Sequence, residues 1–303
     1  MTAPDAHALE CYREAGRVAA QALALGVARI KPGVSMREVL DEIEAFIIAQ
    51  GCEPAFPAQS CVNDVAAHYC PTDIDDYTYR DGDLVKVDVG AHKDGYIGDN
   101  ATTIVLGGTA QDRALAQAVR DALAAVERIL KAGVTPDEIG RVVQETLADA
   151  GFQPIRNLTG HGLARYVQHD APSIPNCPAG ERTPLRAGQV IAIEPFATDG
   201  TSGLITNGSS PTIYSVAEGA AVRSPVAREV LAFAKRYNGL PFAERWVTRE
   251  LGTRSKLGLA ELRRSGAVHA YPPLPERSGG RVAQHENTYL ITDDGFERLT
   301  RAS

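Results

Sequence analysis

No stretch of this 303-residue chain is long and apolar enough to cross a bilayer. The N-terminal MTAPDAHALECYREAGR has acids among its first residues and no unbroken apolar segment of signal-peptide length, so a cytoplasmic protein is expected, with no membrane contact. Clusters of basic residues are lacking too, and the formal charge is −7. Phosphate backbones are bound by gathered Lys and Arg, so no nucleic-acid partner is expected. Cysteine is sparse: Cys11, Cys52, Cys61, Cys70 and Cys177 are odd in number, widely spaced, and form no CxxC pair or zinc-type spacing. They read as free thiols in a reducing compartment.

What is present begins with a repeat. Lys31-Pro-Gly33-Val34-Ser35-Met-Arg-Glu38 returns one hundred positions later as Lys131-Ala-Gly133-Val134-Thr135-Pro-Asp-Glu138. Each copy is a Gly turn and a capping box that opens a helix. Val39, Ile43, Ile47 and Ile139, Val143, Leu147 continue those helices at four-residue spacing until Gly51 and Gly151 stop them. Gly82-Asp-Leu-Val-Lys-Val-Asp88 likewise answers Gly188-Gln-Val-Ile-Ala-Ile-Glu194. Two copies are too few for a solenoid, so two halves about a pseudo-twofold axis are expected, with Asp88 and Glu194 in equivalent places. Residues 216–270 break the pattern; Ala227–Tyr237 and Trp246–Leu262 look helical and form an insertion before Tyr271-Pro-Pro-Leu-Pro. The catalytic domain is then 1–215 with 271–303.

Leu84-Val-Lys-Val-Asp88-Val-Gly90 and Tyr96-Ile-Gly-Asp99 flank Lys93-Asp94-Gly95, a hairpin signal. A two-residue turn at Asp94-Gly95 sets Gly90 opposite Asp99 and places Asp88 and Asp99 diagonally on one face. One Asp at a strand end is ordinarily a hydrogen-bond acceptor, but two held together repel unless a cation or a shared proton intervenes. His161 sits between Gly160 and Gly162, Glu194 interrupts an apolar strand, and Glu286 lies in a strand pattern running from Arg281 to Ile291. Four carboxylates and one imidazole are an inventory suited to two divalent ions, with the nitrogen favouring Mn, Fe, Co or Zn over Mg or Ca. Taken alone, Glu286 reads as a solvated strand residue, and His68 and His169 read equally as surface residues or as donors to a polarised carbonyl.

Phe56-Pro57, Ala66-Ala-His68-Tyr, Lys86-Val-Asp88-Val-Gly90, Asp99, Asn157-Leu-Thr-Gly-His161-Gly, Ala192-Ile-Glu194-Pro-Phe and Gln284-His-Glu286-Asn-Thr occur in that order. Together they resemble the methionine aminopeptidases of the pita-bread fold, over nearly the whole chain. The insertion resembles type II members, in the short archaeal-like form. The resemblance implies an α+β fold of two pseudo-twofold halves, antiparallel sheet inside and helices outside. It implies an enzyme removing the initiator methionine from nascent proteins and peptides with a small second residue, by attack of a hydroxide bridging two divalent ions.

By the same resemblance Asp99 and Glu286 bridge the ions, Asp88 completes one site, and His161 and Glu194 complete the other. His68 and His169 contact substrate and the developing oxyanion, Glu194 helps move the proton, and Phe56 lines the methionine pocket. Departures from the family pattern are Gln168 before His169, Cys70 after Tyr69, and His285 and Asn287 around Glu286; the last two are expected to point away from the metals. An X-Pro aminopeptidase or dipeptidase of the same fold is the alternative, disfavoured because the ligand hairpin begins by residue 84. A non-catalytic pita-bread binding protein is expected to lose ligands, and here all five positions are filled. A monomer is expected, and a ribosome is a candidate partner of the insertion, whose charges otherwise read as a solvated face.

Overall fold

The computed structural model describes residues 4–302, so residues 1–3 and 303 of the expected catalytic domain lie outside the described residues. The repeat folds as two matched layers. Helices α1 (Ala6–Arg29) and α2 (Met36–Ala49) cover one sheet, and α3 (Ala110–Glu127) and α4 (Pro136–Asp149) cover another. The helix after each repeated turn starts where its cap dictates. Thr135 and Glu138 form a reciprocal capping box, the Thr135 N–H donating to Glu138 Oε2 at 2.8 Å and the Glu138 N–H to Thr135 Oγ1 at 3.2 Å. The first copy departs from the expected box: the Ser35 hydroxyl accepts from the Glu38 N–H at 3.4 Å, and the return bond is missing. Both helices end just ahead of Gly51 (φ 76°) and Gly151 (φ 83°), left-handed positions that suit a residue without Cβ.

Strands Leu84–Lys93 and Tyr96–Val105 pair antiparallel, and Glu53–Pro54 and Gln59–Val62 add to the outer side of the first. Asp94 (φ 51°) and Gly95 (φ 87°) form the two-residue turn with both φ positive, the conformation that matches strand twist. This register sets Lys93 opposite Tyr96 and Gly90 opposite Asp99, as the sequence predicts. Helix α1 lies directly on the hairpin: a Cβ on Gly98 would fall 2.4 Å from the Gly16 Cα, so helix and strand meet where both lack side chains. A second, five-stranded sheet runs in the order Phe296–Arg298, Asn287–Ile291, Val190–Ile193, Thr159–Ala164, Val167–Pro175. Each sheet has its own apolar core, Val18, Leu40, Ile43 and Val87 in one, and Val119, Ile139, Leu147 and Ile191 in the other.

Between Ile213 and Tyr271 the chain builds a smaller unit. Strands Ile213–Val216, Phe242–Ala243 and Val268–Tyr271 form its sheet, packed by α5 (Pro225–Lys235), α6 (Glu244–Leu251) and α7 (Ser255–Arg264) around Tyr214, Phe233, Phe242 and Leu262. The helix expected over Trp246–Leu262 is therefore two helices. Gly252, at φ 75°, turns the chain between them. Fully buried Arg245 of α6 pairs with Glu44 of α2, and Arg249 forks onto Asp41 with distances of 2.8 and 2.9 Å, fastening the unit to the first half. Among the described residues no helix is long and apolar enough to cross a membrane, and all five cysteines are free.

Candidate metal centre

Two strands and a crossing bridge bring the carboxylates together. Asp88 faces Ala101 across the hairpin, and Ala101 in turn forms an isolated antiparallel bridge with Glu286, whose N–H donates to the Ala101 carbonyl at 3.0 Å. That bridge interrupts the strand expected from Arg281 to Ile291, which is regular only over Val282–Gln284 and Asn287–Ile291. The backbone needed at Glu286 belongs to the first sheet, while its neighbours belong to others. On the second sheet His161 pairs with Ala192, and Glu194 follows directly after Ile193.

The glycines around His161 are required by contact. A Cβ at 160 would lie 2.3 Å from the Ala192 carbonyl oxygen, and one at 162 would lie 2.1 Å from that of Ala171. The strand carrying His161 is thereby pressed between its neighbours. The ring Nδ1 lies 3.1 Å from the Gly162 carbonyl, an arrangement that assigns the proton to Nδ1 and leaves Nε2 free as a ligand. Nε2 stands 3.6 Å from Glu194 Oε1 and 3.9 Å from Asp99 Oδ2. Asp99, His161 and Glu286 each present an atom within 4.8 Å of the others.

Burial without counter-charge dominates the electrostatics. Desolvation pushes the Asp88 carboxyl up to about 7. It also holds Asp99, Glu194 and Glu286 well above the usual carboxylate range, with mutual repulsion adding to the effect. Desolvation, reinforced by His169, lowers His161 to about 3 and His68 to about 4, so both imidazoles are neutral near pH 7. Oδ1 of Asp88 and Oδ1 of Asp99 have no hydrogen-bond partner among the described residues. Unpaired buried carboxylate oxygens beside an imidazole nitrogen that carries no proton are a donor set that fits a divalent cation.

A cavity of about 430 Å³ opens onto this group. It is lined by seven of the eight site residues expected from the sequence: Asp88, Asp99, His161, Glu194, Glu286, His68 and His169. Phe56 stands behind them, 1% exposed, its ring against Gly90, where a Cβ would approach it to 2.2 Å. It borders a small adjoining cavity shared with Gln59, His68, Gln168, His169 and Tyr271. His285 and Asn287 line neither cavity: the His285 ring is buried near Arg120 and Arg298, and Asn287 accepts from the Thr300 hydroxyl at 2.9 Å.

Three glutamines join the site that residue-type reasoning left without a role there. Gln284 donates from Nε2 to Glu286 Oε2 at 3.2 Å and to Glu194 Oε2 at 3.4 Å. Gln59 accepts from the His68 N–H at 2.7 Å, holding His68 in a left-handed backbone (φ 66°). Gln168, marked in the sequence only as a departure, lines both cavities beside His169. An amide is ambiguous in sequence; only its contacts across the fold give it a function.

This is the construction of a metal-dependent hydrolase: hard oxygen donors and one nitrogen, buried together and open to a cleft. The chain belongs to metallopeptidase family M24, whose model matches residues 10–293. It is similar to a methionine aminopeptidase of Archaeoglobus fulgidus, 42% identical over 289 residues that cover 95% of this chain and 97% of that one. The crystal structure of a methionine aminopeptidase from Thermotoga maritima superposes with a TM-score of 0.73 at 25% identity, covering 99% of both chains. The structure of a thermophilic Arx1 superposes with a TM-score of 0.87 over 98% of this chain and 91% of that one; at 17% identity it attests the shared fold alone. The architecture is the pita-bread fold of that family.

Proposed function

We propose that this enzyme removes the N-terminal methionine from peptides and nascent proteins, using two divalent ions held by Asp88, Asp99, His161, Glu194 and Glu286. The observation that carries the reading is the group of buried carboxylates around the free Nε2 of His161, raised in pKa by burial and mutual repulsion and open to a cavity of about 430 Å³. The near full-length likeness to an archaeal methionine aminopeptidase supports the choice of substrate. Co, Mn, Fe and Zn all suit these donors. Bound ions supply Lewis-acid polarisation of the scissile carbonyl and an acidified water.

The protein's own groups do the rest. Asp99 on the hairpin and Glu286, joined to it at the Ala101 bridge, would be shared by the two ions; Asp88 would serve one and His161 with Glu194 the other. Glu194, raised in pKa by burial and by Asp88, takes and returns the proton that passes to the leaving amine. His68 and His169 are kept uncharged by desolvation, and their N–H groups donate to the oxygen on which charge develops. Phe56, which borders the small cavity beside His68 and His169, helps line the pocket for the methionine side chain. Residues 216–270 form an insertion within the catalytic domain of 1–215 and 271–303; Tyr271 at its edge lies edge-on to the His68 ring at 5.7 Å. We place the protein in the cytoplasm as a monomer, with the ribosome as a candidate partner.

The test compares release of Met from a Met-Ala-Ser peptide with cleavage of an X-Pro peptide by the metal-loaded protein. Faster turnover of the first is expected; preference for the second would replace this reading with an X-Pro peptidase.

A further inference from the structure

The turn of the ligand hairpin carries a second group of metal-ligating side chains, at the end away from the cavity. His7 and Cys11 are one helical turn apart on α1 and share a face, and Asp94, first residue of the two-residue turn, meets them there. His7 Nε2 lies 3.7 Å from Cys11 Sγ and 3.6 Å from Asp94 Oδ2, and Sγ lies 3.9 Å from the same oxygen. A tetrahedral ion with bonds of about 2.0–2.3 Å holds its ligand atoms roughly 3.3–3.6 Å apart. The triangle is within a few tenths of an ångström of that size. Its imidazole–carboxylate edge is longer than the ~2.7–3.2 Å of a direct hydrogen bond, so the atoms surround a point without bonding to one another across that edge.

The donors select the occupant. One thiolate, one imidazole and one carboxylate favour zinc or cobalt over magnesium or calcium. His7 and Asp94 are largely exposed, at 67% and 55% for their side chains, so an ion can enter from solvent and keep a water as fourth ligand. Cys11 lies beneath them, 4% exposed. Asp94 lies in the turn, five residues before Asp99, and the two ligand sets share no residue.

We propose that His7, Cys11 and Asp94 bind a zinc-like divalent ion that clips the start of α1 to the turn of the ligand hairpin. The Cys11 thiol gives up its proton to solvent as the sulfur–metal bond forms. The site is independent of the peptidase centre, which contains no sulfur ligand. The experiment strips the full-length protein of metal and reloads it with Co²⁺, following the near-ultraviolet sulfur-to-cobalt charge-transfer absorption that carboxylate and imidazole ligands cannot produce. Wild-type protein is expected to show this absorption and to lose it in both Cys11→Ser and His7→Ala, each of which still releases methionine. Absence of the absorption from cobalt-saturated, active wild type, or its persistence in either variant, overturns the proposal.

Discussion

The main chain of Asp99 is held through both of its polar groups by the single hydroxyl of Thr288, which accepts from the Asp99 N–H at 2.8 Å and donates to the Asp99 carbonyl at 2.8 Å. The two residues are 189 positions apart and belong to different sheets. Thr288→Val keeps the shape and removes both bonds, leaving two buried backbone groups unpaired at about 1–3 kcal/mol each. A lower melting temperature is expected, with kcat down on the order of ten- to a hundredfold because the Asp99 carboxylate is no longer held in place. Thr288→Ser restores most of both; a serine variant as impaired as the valine one would count against the hydroxyl as the cause.

Removing a ligand should separate activity from folding. Asp99→Ala and Glu286→Ala each delete a carboxylate that the metal-free protein buries against its neighbours, so neither is expected to lower the melting temperature in chelator. Peptidase activity is expected to fall to background in both. The rise in melting temperature on adding metal, present in wild type, should shrink or vanish. Calorimetry with and without chelator checks this, and wild-type activity surviving thorough chelation would refute the metal mechanism.

The raised carboxyl of Asp88 gives a pH dependence of defined sign. Burial lifts it from 3.8 to about 7, so between those values the folded metal-free chain binds a proton that the unfolded chain has released. Its contribution therefore favours folding at low pH and is lost as pH rises through about 7. Asp99, Glu194 and Glu286 are shifted in the same direction. A cation replaces these protons, so the metal-induced gain in melting temperature should be larger at about pH 8 than at about pH 6. Equal gains at both values would contradict it.

Gln168 brings an amide to the cavities beside His68 and His169. Gln168→Leu makes that lining apolar. KM for a methionyl peptide should fall several-fold, on the order of 1 kcal/mol of binding, with a smaller change in kcat. Steady-state kinetics on methionyl and norleucyl peptides check the split; an unchanged KM for both would place Gln168 outside the side-chain pocket.

Local rules account for what could be read from sequence. The Asp94-Gly95 turn has one preferred conformation, so the pairing of Gly90 with Asp99 followed from it. Glycine stops and Ser or Thr caps likewise located α2 and α4. The return bond of Ser35, the break at Gly252 and the divided strand around Glu286 were not legible. Each depends on tertiary placement: Glu286 leaves its strand pattern to pair with Ala101. Gln59 and Gln284 were hidden for a related reason: an amide carries no pattern, and only the fold shows Gln59 holding the His68 N–H and Gln284 reaching Glu194 and Glu286. The ligand types were visible in the sequence; the cavity, the tautomer of His161 and the cluster at the hairpin turn required coordinates.

The Thr288 clasp and the Ala101–Glu286 bridge also set a schedule. Both depend on residues near the C-terminal end, so while the chain is being made the first half can gather its helices and hairpin, yet its acids remain unassembled. Contacts so distant along the chain form late and slowly. A polypeptide halted before residue 286 carries Asp88, Asp99, His161 and Glu194 without the carboxylate that joins the halves, and truncated products are inert by construction.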